Sequence, residues 1–88
     1  MIDINSTDAL GSTLLIICAA AHNEFAWNIL ETHSKHLDVD ARTNGGETAL
    51  MKLCENGDSK MILRFMIKFK PMVSLKNESG LTAFECLP

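Results

Sequence analysis

The sequence predicts an all-α fold, a repeat solenoid of helix-turn-helix units joined by β-turn loops. A Gly-x-Thr-x-apolar pattern begins at Gly11, Gly46 and Gly80, so its steps are 35 and 34 residues. Seven residues before each glycine stands a β-branched residue followed by a polar one, at 4–5, 39–40 and 73–74. Two markers at a constant offset in three copies indicate an internal repeat, and repeats of this length are stacked supersecondary units.

The first unit reads as two short helices. Apolar and small residues predict one helix over 14–21, and a second is predicted from about Glu24 to His33. Phe25, Ile29 and Leu30 are expected on the buried face of that second helix. Trp27 lies off the Phe25/Ile29 pair, so we expect it to be partly exposed, either packing between units or contacting a partner.

The second unit carries clearer helix boundaries. Thr48 is a predicted N-cap, and Gly57 can take the left-handed conformation that ends the helix from Ala49. A second helix should begin near Asp58 or Ser59 and stop before Pro71. Its predicted core face consists of Met61, Ile62, Phe65, Met66 and Phe69, and its solvated face of Lys60, Arg64 and Lys68.

The third unit is incomplete. Thr82 and Glu85 have capping-box spacing and open a third helix, but the sequence ends at Pro88. We therefore expect one module over 1–88, with repeats at about 3–37 and 38–71 and a partial one at 72–88. The second unit would meet only Phe84, Cys86 and Leu87 on that flank. Such an open apolar end predicts self-association through the C-terminal end, or the docking of another chain there.

Composition narrows the classes of function. The chain has 88 residues, is 47% hydrophobic and 22% charged, and carries a net charge of -3, which is typical of a globular domain. Residues 1–50 carry -5 and residues 51–88 carry +2. This asymmetry either orients a charged partner or reflects one solvated helix face. No cluster of Lys and Arg indicates nucleic acid binding, and no apolar run is long enough to span a membrane, so cytoplasm or nucleus is expected.

Residues with reactive or metal-binding side chains do not form a recognisable site. His33 and His36 stand three apart and His22 lies nearby, but no further ligand is evident, so exposed histidines are expected. Cys18, Cys54 and Cys86 are expected as small buried apolar residues in a reducing compartment. The Gly45–Gly46 pair indicates a turn with positive φ and lacks a phosphate-loop context. We expect no cofactor, no metal, no catalytic residues and no enzyme activity.

The repeat resembles the ankyrin family over essentially its whole length. The best matching stretches are 39–42, 46–50 and 55–57, and residues 3–5 and 8–11 are similar to the family's linker and β-turn. Leu14, Ala49 and Ala83 replace the proline of the family motif. Its histidine is replaced by Ile16, Met51 and Glu85, which implies that the side-chain hydrogen bonding of that histidine is missing here.

The resemblance also implies a function. Ankyrin repeats bind folded proteins through their turn tips and the exposed, concave side of their first helices, so a non-catalytic protein-interaction scaffold is expected. By position, the implied partner-binding residues are Ala9, Leu10, Ser12, Ala20, Asn44, Gly45, Glu47, Glu55, Glu78, Ser79 and Leu81. The alternative is a docking or regulatory segment of a larger multidomain protein, such as an enzyme.

Overall fold

The computed structural model describes residues 5–21 and 24–87. They form α1 (Leu14–Ala21), α2 (Glu24–Thr32), α3 (Ala49–Asn56) and α4 (Ser59–Phe69), with short 3-10 helices at Ser34–His36 and Phe84–Cys86. α1 packs on both α2 and α3, and α3 packs on α4 and on the last 3-10 helix. This arrangement confirms the predicted all-α repeat fold. The predictions made on residues 3–4, His22 and Pro88 lie outside the described residues.

The helices of the second unit begin and end as predicted. The Thr48 hydroxyl accepts a hydrogen bond from the Met51 amide at 3.3 Å, and Gly57 ends α3 with φ of 73°. The Asp58 carboxylate accepts from the first free amides of α4, those of Lys60 and Met61. These contacts satisfy backbone donors that a helix terminus leaves unpaired.

One expectation about the cap was wrong. The motif histidine is replaced by Met51, and loss of its side-chain hydrogen bond was expected. The Thr48 amide instead donates to the Met51 sulfur at 3.4 Å, which completes a capping box. A thioether is a weak acceptor, but the site is fully buried, so no water competes for the amide.

The predicted third helix amounts to one 3-10 turn. The Glu85 carboxylate accepts from both the amide and the hydroxyl of Thr82, at 2.9 and 3.1 Å, and these hydrogen bonds lower the pKa of Glu85. Ala83 is buried against the core, while Phe84 and Leu87 are exposed. Among the described residues, the third unit therefore contributes a turn and a short 3-10 helix that packs on α3.

All three turn tips are built in the same way. In each, the backbone carbonyl of a polar residue, which is Asp8, Thr43 or Asn77, accepts a hydrogen bond from the amide of the tip glycine. The amide of the same polar residue donates to the carbonyl of the residue four positions later. The side chain of that residue closes the turn: Asp8 Oδ1 accepts from Leu10 and Ser12, and Asn77 Oδ1 from Ser79 and Leu81. The Thr43 hydroxyl likewise accepts a hydrogen bond from the Glu47 amide. These short polar side chains are suited to turns because they can replace a missing backbone partner.

Successive tips are tied together by backbone hydrogen bonds. The Asn44 amide donates to the Leu10 carbonyl at 2.9 Å, and the Glu78 amide donates to the Gly45 carbonyl at 3.1 Å. Gly11 has φ of 80°, and a β-carbon there would lie 2.9 Å from the Asn44 amide nitrogen. Glycine is therefore needed at this position both for its left-handed backbone and for the close approach of the next tip.

The polar residues that follow the recurring β-branched residues, Asn5 and Asp40, also connect the units. Asn5 donates to the His36 carbonyl and accepts from the Asp38 amide, and Asp40 accepts from the Met72 amide at 2.8 Å. Each bond spans 31 to 33 residues, which is nearly one repeat. The recurring polar residue in the sequence is thus explained at its first two positions by a bond to the following linker.

The buried face of α2 differs from the prediction. Phe25 is 77% exposed and Ile29 about half exposed, whereas Trp27 and Leu30 are fully buried. Trp27 packs against Phe65 and Phe69 of α4, with ring centroids 5.4 and 5.6 Å away. The larger aromatic ring buries more apolar area against α4, so it sets the rotation of the helix and turns Phe25 and Ile29 outward. Trp27 therefore packs between the units, and its expected partial exposure is wrong.

Arg64 is not part of a purely solvated face. Its guanidinium pairs with both carboxylate oxygens of Glu31 on α2, the second at 3.1 Å, and also donates to the Asn28 side chain. Lys60 and Lys68 are exposed as expected. The two-pronged geometry matches the planar guanidinium to a carboxylate, so this ion pair links α2 to α4 at the edge of the aromatic contact.

Leu50→Ala should destabilise the stack by about 2 to 5 kcal/mol, because Leu50 is fully buried in α3 and its removal leaves a cavity. The urea midpoint can be followed by the fluorescence of Trp27, the one tryptophan in the chain. A midpoint equal to that of the parent protein would contradict the placement of Leu50 in the core.

Arg64→Ala should lower the free energy of unfolding by about 1 kcal/mol, because it breaks a half-buried, two-pronged ion pair between units. Lys68→Ala is the matched control on an exposed position of the same helix and should change stability by less than about 0.5 kcal/mol. Equal effects of the two changes in urea titrations would show that the Arg64 pair does not stabilise the stack.

Candidate protein-binding surface

The first two turn tips and the start of α3 enclose an open groove of about 210 Å³. Five of its lining residues are among those implied by the family resemblance, namely Leu10, Ser12, Asn44, Gly45 and Glu47. Leu10 is 70% exposed at its rim, which places an apolar side chain beside polar ones. Because the surrounding backbone is hydrogen bonded between tips, these side chains are held on a fixed framework.

Two residues that line the groove, Glu47 and Lys52, form a small charge cluster with Glu55 of α3. Lys52 Nζ lies 3.0 Å from a Glu47 carboxylate oxygen and 3.7 Å from one of Glu55. Two carboxylates therefore share one ammonium group, which leaves one excess negative charge. The cluster lies at the protein surface, with the three side chains between a quarter and about two fifths exposed, so it is accessible to solvent.

The shared cation affects the two carboxylates differently. Partial burial by itself would raise the pKa of Glu47, but hydrogen bonds with Lys52 and Glu55 and the Lys52 charge lower it below its usual value. Partial burial, together with the hydrogen bond and charge of Glu47, raises the pKa of Glu55 despite the opposing effect of Lys52. Glu47 is the better paired of the two, and Glu55 is the more exposed.

The remaining implied residues are distributed along the same row of tips. Ala9 is exposed, and its carbonyl accepts a hydrogen bond from the Asn44 side chain at 3.2 Å. Ala20 is exposed on α1, in the register position that Glu55 has on α3. In the third tip, Glu78 is tied to Gly45 through its amide, whereas Ser79 and Leu81 are exposed beyond the groove.

Sequence reasoning missed three residues of this surface. Thr43 and Lys52 line the groove, and Ile17 occupies on α1 the register position of Lys52 and is 44% exposed. The signal for Lys52 was present, because it lies three residues before Glu55 and thus on the same face of α3. Thr43 could have been found from its repeat partners Asp8 and Asn77, which stand at the same offset from the tip glycines.

Groups with reactive side chains are placed in unreactive surroundings. Cys18 and Cys54 are buried and Cys86 half-buried, and all three are free thiols. Burial raises the pKa of Cys54 to about 11, and also raises the pKa of Cys18 and Cys86, which disfavours the nucleophilic thiolate. His33 and His36 are exposed. Over residues 5–21 and 24–87, no group of three or more metal-binding side chains comes together.

No helix in the described part of the chain is long and apolar enough to cross a membrane.

Comparison with known proteins identifies the repeat independently of the fold. A search of curated proteins found no match to the chain. A family model described as ankyrin repeats (many copies) matches residues 30–86, almost two thirds of the chain. The match begins within α2 and includes α3, α4 and the third turn, where the helix boundaries and tips follow the predicted repeat. Ankyrin repeats generally mediate contacts between proteins and are typically non-catalytic. The chain belongs to the ankyrin repeat family.

Proposed function

We propose that the module is a non-catalytic scaffold that binds a protein partner through its turn tips and the exposed side of α1 and α3. This tip surface consists of Ala9, Leu10, Ser12, Ala20, Asn44, Gly45, Glu47, Glu55, Glu78, Ser79 and Leu81. The observation that carries the proposal is the groove between the first two tips, where five of these residues line one recess. A rigid recess with mixed apolar and charged lining favours a folded protein as ligand, because little ordering is required on binding.

The chemistry of the partner follows from the groove and its charge cluster. Leu10 and Ile17 offer exposed apolar contacts near the first tip, and the Glu47–Lys52–Glu55 cluster carries an excess negative charge. A complementary partner presents an apolar residue next to a basic one, with the basic side chain directed at Glu55. The three buried or half-buried free thiols support a reducing location, in the cytoplasm or the nucleus.

The C-terminal end is proposed as a second contact surface, for a second copy or for another chain. Leu63 and Ile67 of α4 are each about 60% exposed, and Phe84 and Leu87 of the third unit are also exposed. In the first unit, the corresponding side of α2 is covered by α4 through Trp27. The absence of such cover on the described part of α4 supports a contact there.

Glu47→Ala and Leu81→Ala should weaken partner binding and leave the fold intact. Each removes an exposed or half-exposed side chain, so the expected loss of stability is below about 1 kcal/mol. Affinity for a captured partner is measured by calorimetry, with Lys68→Ala, at an exposed position of α4 outside the groove, as the control. Unchanged affinity for both tip variants would reject the tip surface and point to the exposed side of α4.

Phe84→Glu should weaken association through the C-terminal end by about tenfold, since it puts a charge into an apolar contact. Sedimentation over a range of concentrations detects self-association, and calorimetry with a captured partner detects docking. A variant that matches the parent protein in both measurements would show that the short 3-10 helix caps the stack by itself.

A further inference from the structure

The second unit contains two Asn-Gly pairs, and the structure places them in different backbone environments. One pair, Asn44 and Gly45, lies in the second turn tip, and the other, Asn56 and Gly57, lies at the end of α3. Asparagine is prone to spontaneous deamidation when glycine follows it, because glycine has no side chain to hinder attack by its amide nitrogen. Both asparagines are exposed, so water reaches each of them. Local geometry must then decide which pair reacts.

The two asparagine side chains are held in the same way. Asn44 Nδ2 donates a hydrogen bond to the Ala9 carbonyl at 3.2 Å. Asn56 Nδ2 donates a hydrogen bond to the Ala19 carbonyl at 3.0 Å. Each bond joins the second unit to the first, and each holds the nitrogen that would leave as ammonia. The side chains themselves therefore do not distinguish the two pairs.

The amide of the following glycine does distinguish them. The Gly57 amide donates to the carbonyls of Leu53 and Cys54, at 3.2 and 3.1 Å, and closes the end of α3. Among the described residues the Gly45 amide donates no hydrogen bond, because the turn is closed by the next glycine along the chain, whose amide donates to Thr43. A nitrogen that is bonded at a helix end must break away before it can attack, and the Gly45 nitrogen needs no such opening.

We propose that Asn44 is a site of spontaneous deamidation in the folded module and that the helix end protects Asn56. The Gly45 amide loses its proton to solvent, and its nitrogen attacks Cγ of Asn44. A bond between this nitrogen and Cγ forms, the bond between Cγ and Nδ2 breaks, and ammonia leaves with a proton from water. Water then opens the cyclic imide at either carbonyl carbon and gives aspartate or isoaspartate. The whole reaction consumes one water and releases one ammonia.

Either product alters the contact between turn tips. Aspartate has no donor for the Ala9 carbonyl, so its carboxylate faces another acceptor where a hydrogen bond is now made. Isoaspartate adds a methylene to the backbone just before Gly45, whose carbonyl accepts the bond from the Glu78 amide. Asn44 also lines the groove, so a new negative charge there changes the surface proposed to bind a partner, a consequence that rests on the proposed function.

Peptide mapping of the purified chain, stored folded at neutral pH and physiological temperature for several weeks, tests the proposal. Trypsin cuts after Arg42, Lys52 and Lys60 and so places the two Asn-Gly pairs on separate peptides. Mass spectrometry measures the deamidated fraction of each peptide, and enzymatic methylation of isoaspartate identifies the ring-opened product. We expect Asn44 to react at least about tenfold faster than Asn56, because the helix end must open before Asn56 can react.

Two controls separate the effect of the fold from that of the local sequence. In guanidinium chloride the unfolded chain should deamidate at similar rates at both pairs. Gly45→Ala is the matched variant, because Gly45 has no positive φ and a β-carbon there would lie 3.8 Å from Thr43 Oγ1 and 4.0 Å from a Glu78 carboxylate oxygen. The added methyl group should slow deamidation of Asn44 severalfold and leave Trp27 fluorescence and circular dichroism unchanged.

No deamidation of Asn44 in the folded chain, or a rate at Asn56 that equals or exceeds the rate at Asn44, would overturn the proposal. The measurement involves no partner, so its outcome does not depend on whether the tip surface binds one. Failure of the modification and failure of the proposed function are therefore distinguished.

Discussion

The packing of the first unit on the second supports the rest of the structure, through α1 on α3 and through an aromatic cluster between α2 and α4. A pair of helices eight to eleven residues long cannot bury its apolar residues on itself, so each unit needs a neighbour to complete its core. Trp27 provides the aromatic part of that contact, with Phe65 and Phe69 packed against its ring. Its indole nitrogen is buried without a hydrogen-bond partner among the described residues, a cost that the aromatic packing must exceed.

The same stacking creates the surface proposed to bind partners. When one unit packs on the next, their turn tips come into register, and the Asn44 amide meets the Leu10 carbonyl. The backbone of the tips is then satisfied internally, which frees side chains such as Leu10 and Glu47 for contact with other molecules. Because the framework is made by the backbone and by a few short polar residues, we expect the fold to tolerate substitutions of these side chains. The proposed binding and the stability of the module should therefore be largely separate properties.

The two units differ in the side chains that accompany their exposed apolar residues. α1 has no charged residue and exposes Leu14 and Ile17, whereas α4 exposes Leu63 and Ile67 and carries three basic residues. Of these three, Arg64 is paired with Glu31 of α2, so its charge is already used in the contact between the units.

The sequence by itself determined the repeat, the helix boundaries and the turns. Thr48, Gly57 and Asp58 act through neighbours within four residues, and such local chemistry is legible from spacing alone. The tertiary structure decided which side of α2 is buried, because Phe25/Ile29 and Trp27/Leu30 are both apolar and lie on opposite sides of that helix. Only the presence of Phe65 and Phe69 some 40 residues away selects Trp27. The tertiary structure also decided two charge contacts. Arg64 meets Glu31 only because the units stack, and Lys52 is shared by two carboxylates only because their side chains meet in space. A pattern of residues along the chain does not contain this information.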